Sequence, residues 1–568
     1  MVISHHIDSE ELEEKVLHSL TKTPLDNKEQ YIFKYDANAL VPKYEIPIQS
    51  LDEELVYRYM SEGLALDGNP KLNLASFVNT ELSPVQRRLV EDSLVKNLAD
   101  NDEYPSLIDL QQRCITILSN LWHAPKTTDP VTGKLNVNSI GVATTGSSEA
   151  VMLGGLLMKK RWTERRKKEG KSTENPNIIM ASCVQVALEK FARYFDVENR
   201  LVSISESLEH MTDVNKIKEN VDENTIGIFV ILGSTFTGAF DNVELISKTL
   251  DEIQEETGFD VPIHVDGASG GFVAPFVYPH LKWDFAVSRV VSINTSGHKF
   301  GLTSAGLGWI VWRDSLLVPQ SLRFSLDYLG GVEETFGLNF SRPGFPVILQ
   351  YFNFLTLGRE GYTKIYNSCL QNARLLSEFL EETGYFEILS VIHKKIKTQE
   401  ERDMLFTGHF DHKMHVSDST TNEEYYPGLP VVAFRFSDQI RTDYPEIPQR
   451  IISTLLRNQG FIVPNYHLPP DEEEKQLLRV VVRDSVTLNL LEQLMQSIVK
   501  NTELLLSACL TVKDMIKHQE ETSDDEKREL VYKIFLSIAS NGTEDAREAS
   551  ILFKSKERTD GKSTRTVC

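Results

Sequence analysis

The chain has 568 residues, 41% of them hydrophobic and 25% charged, and 82 acidic side chains against 60 Lys and Arg give a net charge of −22. That length exceeds one ordinary hydrophobic core, so two or more domains of a globular protein are expected. The negative balance argues against nucleic acid and anionic membranes as partners, and no apolar run approaches the ~20 residues that a membrane helix needs.

The opening MVISHHIDSEELEE lacks both a basic start with an apolar core and an Arg-rich amphipathic stretch, so neither a signal nor a transit peptide is expected. Residues 1–60 read as a polar, acidic N-terminal arm with a helical patch at 9–20. The five Cys (114, 183, 369, 509 and 568) show no metal spacing and fit reduced thiols in the cytoplasm; Cys568 makes no prenylation pattern.

From residue 61 the pattern tightens. LALDGNPKLNLASF (64–77) turns at Asp67–Pro70 and then approaches Ser76 and Phe77. KNLADNDEYP (96–105) is a polar loop, and locally Asn97 and Asp100 read as loop solvation. An amphipathic helix is expected over 106–122. ATTGSSEA (143–150) then sets small residues and hydroxyls before a helix with Glu149 in its first turn. Such an N-terminus can cradle a phosphate, and it can equally be an ordinary Ser cap. No Lys follows the glycine, so it is not a Walker loop.

Strand and helix now alternate: strands at 177–182, 225–232, 262–265, 291–293 and 307–313, with helices at 186–195 and around 252–258. Apolar runs of this kind, separated by helices, describe buried strands of a mostly parallel sheet. Gln185 and Thr235 fall just past strand ends. A long helix over 345–380 bridges to a second region, and 390–428 shifts to charge and polarity. There His409, Asp411, His412 and His415 resemble metal ligands but read as a solvated insertion, so no metal site is expected. Strands at 429–437, 461–466 and 477–483 with a helix at 447–458 suggest a smaller α+β domain. The tail from 511 carries one amphipathic helix near 526–540, without the basic, aromatic character of a calmodulin target, and its last dozen residues are expected to be disordered.

Two stretches carry the chemistry. PIHVDGA (262–268) ends a strand on Asp266, followed by Gly267, Ala268, Ser269, Gly270 and Gly271. VSINTSGHKFG (291–301) runs from a β-branched strand through a small-residue turn to His298 and Lys299. A Lys at a strand's carboxyl end stands where open α/β sheets bind ligands, and in a partly dry site it sheds its proton and becomes a nucleophile toward aldehydes. Pyridoxal phosphate needs such a Lys and an acid for its pyridinium nitrogen. Asp266, 33 residues before Lys299, leaves room for one crossover between neighbouring strands. Unaided, these residues support a pyridoxal-phosphate enzyme of the doubly wound, aminotransferase-like α/β class.

HVDGASGG (264–271) together with NTSGHKFG (294–301) resembles the group II pyridoxal-phosphate-dependent decarboxylases, in their glutamate decarboxylase branch. The resemblance is dense from about 60 to 370 and returns in patches between 428 and 500. It implies fold type I, with a large pyridoxal-phosphate-binding domain over 61–368, a small C-terminal domain over 369–510 and a tail over 511–568. It implies that Lys299 forms an imine with pyridoxal 5'-phosphate and that Asp266 pairs with the ring nitrogen. Ser147, Ser148, Ser296 and His298 would hold the phosphate side, with Ala268 and Thr235 beside the ring and Gln185 stacked on it. Gln rather than His at 185 favours the glutamate branch. Phe340 and Ser341 would reach a neighbouring subunit's phosphate, making the protein a homodimer or higher homo-oligomer. Ser76, Phe77, Asn97 and Asp100 match a pocket for the substrate's distal carboxylate; Ser76 stands where bacterial members carry Thr. Arg479 would bind a substrate carboxylate, and Tyr328, in SLDYLGG, would return a proton to the α-carbon. The implied reaction converts L-glutamate to 4-aminobutanoate and carbon dioxide. Aspartate, cysteine sulfinate or an aromatic amino acid is the alternative substrate, and a scaffold with a dead fold is disfavoured because both Lys and Asp are present.

Overall fold

The computed structural model describes residues 43–517 except Asn79 and the segments 129–134, 205–207, 327–332 and 407–421. The 9–20 patch, Tyr328, the His409–His415 cluster and the 526–540 helix lie outside the described residues. The chain divides into two compact units between Gly68 and Asn69, inside the Asp67–Pro70 turn. In the first, helix α1 (Glu53–Leu64) is capped by Asp52, whose carboxylate accepts the backbone N–H groups of Glu54 and Leu55.

The second unit is built on a seven-stranded sheet. Its strands are β1 (Ile140–Thr144), β2 (Asn177–Ala181), β3 (Glu198–Val202), β4 (Thr225–Ile231), β5 (Ile263–Asp266), β6 (Val290–Thr295) and β7 (Gly308–Trp312), in spatial order β1-β7-β6-β5-β4-β2-β3. All are parallel except β7, which runs against both β1 and β6. Every residue of β4 is buried, because helices cover both faces. Alternate residues therefore enter two separate cores. Ile228, Val230, Val265 and Ile293 join the core under α2 (Pro105–Leu121), α5 (Val243–Thr257), α6 (Gly270–Val277) and α7 (Phe345–Glu382). Phe229, Ile231 and Val291 join the one under α3 (Ser147–Lys168) and α4 (Val186–Tyr194).

A second, antiparallel sheet has the order β8-β9-β11-β10, from β8 (Phe386–Ile388), β9 (Val431–Phe436), β10 (Asn465–His467) and β11 (Gln476–Val481).

Several local expectations shift. Asn294 and Thr295 belong to β6 rather than to the following turn, since both pair across to β7. The expected 461–466 strand is only a bridge at Ile462 followed by β10, because Pro464 between them has no N–H to give. The long helix is present, but Gly358, at φ 57°, interrupts it. The 390–428 stretch is not solvated at its ends. Gln399–Leu405 is helical, and Asn422 and Glu423 are buried, the latter accepting from His280 Nδ1 at 2.8 Å and the former from Arg374 at 2.8 Å.

Candidate active site

Parallel strands end together, so the residues that follow β1, β2, β4, β5 and β6 face one another. They enclose a cavity of about 280 Å3 whose lining includes Gly146, Ser147, Ser148, Cys183, Gln185, Thr235, Asp266, Ala268, Ser296, His298 and Lys299. Binding at the carboxyl ends of strands is the rule for open α/β sheets, and the size lies near the lower end of small-molecule sites (~300–1,000 Å3).

Lys299 sits on a turn clamped from α7. The Gly301 carbonyl accepts from Gln350 Nε2 at 3.2 Å and Tyr362 Oη at 3.3 Å, the Leu302 carbonyl accepts from Asn353 Nδ2 at 2.7 Å, and Tyr366 donates to the Phe300 carbonyl. A side chain at Gly301 would collide with Gly297 O at 2.5 Å and Gln350 Oε1 at 2.6 Å, so only glycine permits this packing. Burial pushes the Lys299 amine below its ordinary pKa, opposed by the Asp266 charge and reinforced by Arg479. The result is a nucleophilic amine held in place.

Asp266 closes β5. Its Oδ1 accepts from Asn294 Nδ2 at 2.9 Å and from Ala268 N–H at 3.1 Å, leaving Oδ2 for the cavity. The lining also includes the start of α3, where Ser147 Oγ lies 2.6 Å from Ser296 Oγ; hydroxyls at a helix N-terminus suit a phosphate. Glu149 anchors that helix start: it accepts from Thr145 N–H at 2.8 Å, Leu338 N–H at 3.1 Å and Asn339 N–H at 3.2 Å. The Leu307 N–H donates to His298 Nδ1 at 3.1 Å, so Nε2 carries the imidazole proton. Burial, then Lys299, pushes His298 down to about 4.

Gln185 spends its Oε1 on capping α4, accepting from Ala187 N–H at 2.6 Å, so only its amide NH2 is left for a ligand. The Thr235 carbonyl accepts from Tyr466 Oη at 3.3 Å and from Arg479. Arg479, paired opposite Ala433 in the second sheet, also donates to the Ala75 carbonyl. Its guanidinium lies 5.1 Å from the centre of the Phe77 ring, which is itself 5.4 Å from Lys299 Nζ. The small sheet thus delivers Arg479 to the Phe77 ring that faces the lysine.

Ser76, Phe77, Asn97, Asp100, Ser341 and Arg479 stand off the cavity lining. Ser76 Oγ donates to the Val78 carbonyl at 2.6 Å, and Asp100 caps a turn by accepting from Glu103 N–H at 3.1 Å. Asn97 accepts from Arg342 N–H at 3.1 Å and bridges to Pro343, which binds its loop to the segment of Phe340 and Ser341.

The sequence pattern gave no site role to Cys183 or, behind Asp266, to His264 and Asn294. Cys183 is inert, its thiol pushed up to about 12 by burial. His264 and Asn294 could have been found from period-two alternation: in HVD and SIN they share a face with Asp266 and Ser292.

His264 is buried and pushed down to about 4, chiefly by desolvation. It stays neutral when folded but protonates near pH 6.5 when unfolded. Its contribution to stability is therefore complete above about pH 6.5 and is lost as the pH falls toward 4, by about 3 kcal/mol at the lower limit. His298 acts in the same direction. Urea unfolding of the cofactor-free protein at both pH values is expected to show this loss reduced by about 3 kcal/mol in His264→Gln; an unchanged difference would count against a neutral buried imidazole.

The conserved domain of pyridoxal-dependent decarboxylases matches residues 43–398. Among curated proteins, a glutamate decarboxylase of Saccharomyces cerevisiae is 48% identical over 89% of this chain and 86% of its own. One of Solanum lycopersicum is 41% identical over 85% of this chain and 87% of its own. Among solved structures, a Lactobacillus brevis glutamate decarboxylase superposes with a TM-score of 0.70 at 33% identity, covering 83% of this chain and 96% of that one. The Oryza sativa TDC solved with PLP and tryptamine shares the fold alone, with a TM-score of 0.61 at 15% identity over 86% of this chain and 95% of that one.

Proposed function

This chain belongs to the pyridoxal-dependent decarboxylase family, and from that premise we propose that it removes the α-carboxylate of L-glutamate, giving 4-aminobutanoate and carbon dioxide. The observation that carries the reading is the joint placement of Lys299 and Asp266 in one cavity whose lining includes a helix N-terminus bearing hydroxyls. These residues fit pyridoxal 5'-phosphate: an amine of lowered pKa for the aldehyde, a carboxylate oxygen for the ring nitrogen, and donors for the phosphate.

Pyridoxal phosphate, when bound, supplies the electron sink into which the bond to the departing carboxylate releases its electrons. Lys299, buried in the cavity with an amine of lowered pKa, would hold the cofactor. Asp266 keeps a proton on the ring nitrogen. Ser147, Ser148, Ser296 and His298 Nε2 donate toward the phosphate, while Gln185, Ala268 and Thr235 confine the ring. Arg479 offers its planar fork to a substrate carboxylate, and Phe77 keeps water from the space between Arg479 and Lys299.

Ser76, Asn97 and Asp100 read as residues for the distal carboxylate. The tie between Asn97 and the Phe340–Ser341 segment, with Phe340 45% exposed, supports a shared role of both loops at a second subunit's site. A homodimer or higher homo-oligomer is part of the proposal. So are the division into a large domain over 61–368 and a small one over 369–510, and a cytoplasmic location. Free buried thiols at Cys114, Cys183, Cys369 and Cys509 support that location. Among the described residues no helix is long and apolar enough to cross a membrane.

Carbon dioxide release measured across glutamate, aspartate, cysteine sulfinate and aromatic amino acids tests the substrate: glutamate is expected to lead, and a leading rival would overturn the assignment. In Arg479→Ala, kcat/KM for glutamate is expected to fall by roughly 30- to 5,000-fold, corresponding to ~2–5 kcal/mol for an amputated charge pair. A change below threefold would remove Arg479 from the substrate site.

A further inference from the structure

Asp266 does not stand alone at the end of its strand. Parallel pairing sets His264 beside Ser292 and Asp266 beside Asn294, and the period of two puts all four side chains on the face of the sheet covered by α3. All four are buried. His264 Nδ1 lies 2.7 Å from Ser292 Oγ, His264 Nε2 lies 2.7 Å from Asn294 Oδ1, and Asn294 Nδ2 lies 2.9 Å from Asp266 Oδ1.

Chemistry fixes the direction of every bond. The Asn294 amide must turn its NH2 to the carboxylate, since the reverse would set oxygen against oxygen. Its Oδ1 then faces His264 and can only accept, so the imidazole proton sits on Nε2. His264 Nδ1 is left as an acceptor, and the Ser292 hydroxyl donates to it. All donors point toward Asp266. Burial, which pushes His264 down to about 4, keeps the ring neutral and preserves this single arrangement. The fold makes room for it: a Cβ at Gly154 on α3 would overlap the His264 ring, which also packs T-shaped against Phe229 with ring centroids 5.3 Å apart.

We propose that Ser292, His264 and Asn294 form a one-way hydrogen-bond relay whose function is to hold the Asp266 carboxylate aimed at the ring nitrogen of the cofactor. The three are positioning residues, and the inference rests on the cofactor reading above. Aligned donors polarise one another, so each bond strengthens the next and the whole fixes the orientation of the Asp266 carboxylate.

The test separates aim from mere packing. Full-length protein stripped of cofactor is titrated with pyridoxal phosphate and with an analogue whose ring nitrogen is replaced by C–H, and the two dissociation constants are compared. The wild type is expected to prefer pyridoxal phosphate. Asn294→Ala and His264→Phe are expected to shrink that preference by about tenfold. His264→Gln, which restores an N–H donor toward Asn294, is expected to keep it within about twofold. Should either truncated chain fail to fold, Ser292→Ala is expected to shrink the preference about threefold. Preference unchanged in the truncated variants, even with overall affinity lowered, would overturn the relay, because packing damage acts on both compounds alike. A wild-type chain that binds neither compound would overturn the cofactor reading itself, and the relay with it.

Discussion

Lys299→Ala is expected to lower carbon dioxide release from glutamate by more than about 10^3-fold, because removing a covalent catalyst leaves only binding and orientation. The structure explains why no other cation can substitute. The amine is buried, its pKa is lowered chiefly by desolvation, and a turn clamped by Gln350, Asn353, Tyr362 and Tyr366 fixes its position. Lys299→Arg keeps positive charge and reach, yet it is expected to be as inactive as the alanine variant, since a guanidinium stays protonated and cannot attack an aldehyde. The visible absorbance of lysine-linked cofactor should vanish in both, while circular dichroism reports a folded chain. Activity above a tenth of the wild type in either variant would mean that another residue carries the cofactor.

Asp266→Asn carries the second largest expected effect. It preserves shape and removes the charge opposite the ring nitrogen. Breaking a buried ion pair from one side costs roughly 3–5 kcal/mol, and if that falls on the transition state the rate declines by about 10^2- to 10^4-fold. Lys299 should respond as well. Asp266 is the group that opposes the lowering of its pKa, so without that charge the amine is expected to titrate lower still in the cofactor-free protein. Rate measurements with saturating cofactor, alongside the pH dependence of Lys299 modification by an amine reagent, read both effects. A decline of less than tenfold would show that the ring nitrogen does not depend on this carboxylate.

Among the candidate site residues, those at the strand ends were the easiest to read. An acid and a lysine at neighbouring strand ends, with a small-residue turn after each, announce their role through local pattern alone. Ser147, Ser148, Gln185, Thr235 and Ser296 were legible for the same reason, being the first residues beyond a strand or at the start of a helix. The distal residues were not. Arg479 lies 180 residues after Lys299 and looks like any Arg in an apolar strand. Only the pairing of β11 with β9, and the meeting of that sheet with the Thr235 and Ala75 carbonyls, brings it beside Phe77.

The linear order of residues by itself determined the doubly wound class and the candidate amine and acid, because strand periodicity, turn composition and side-chain chemistry are local properties. Tertiary structure alone decided the clamp on the lysine turn, the anchoring of the Leu338–Asn339 backbone by Glu149, and the hidden line of donors behind Asp266. Each of these depends on which strands become neighbours and how closely a helix can approach a sheet. That is a matter of long-range packing, which no short window of sequence contains.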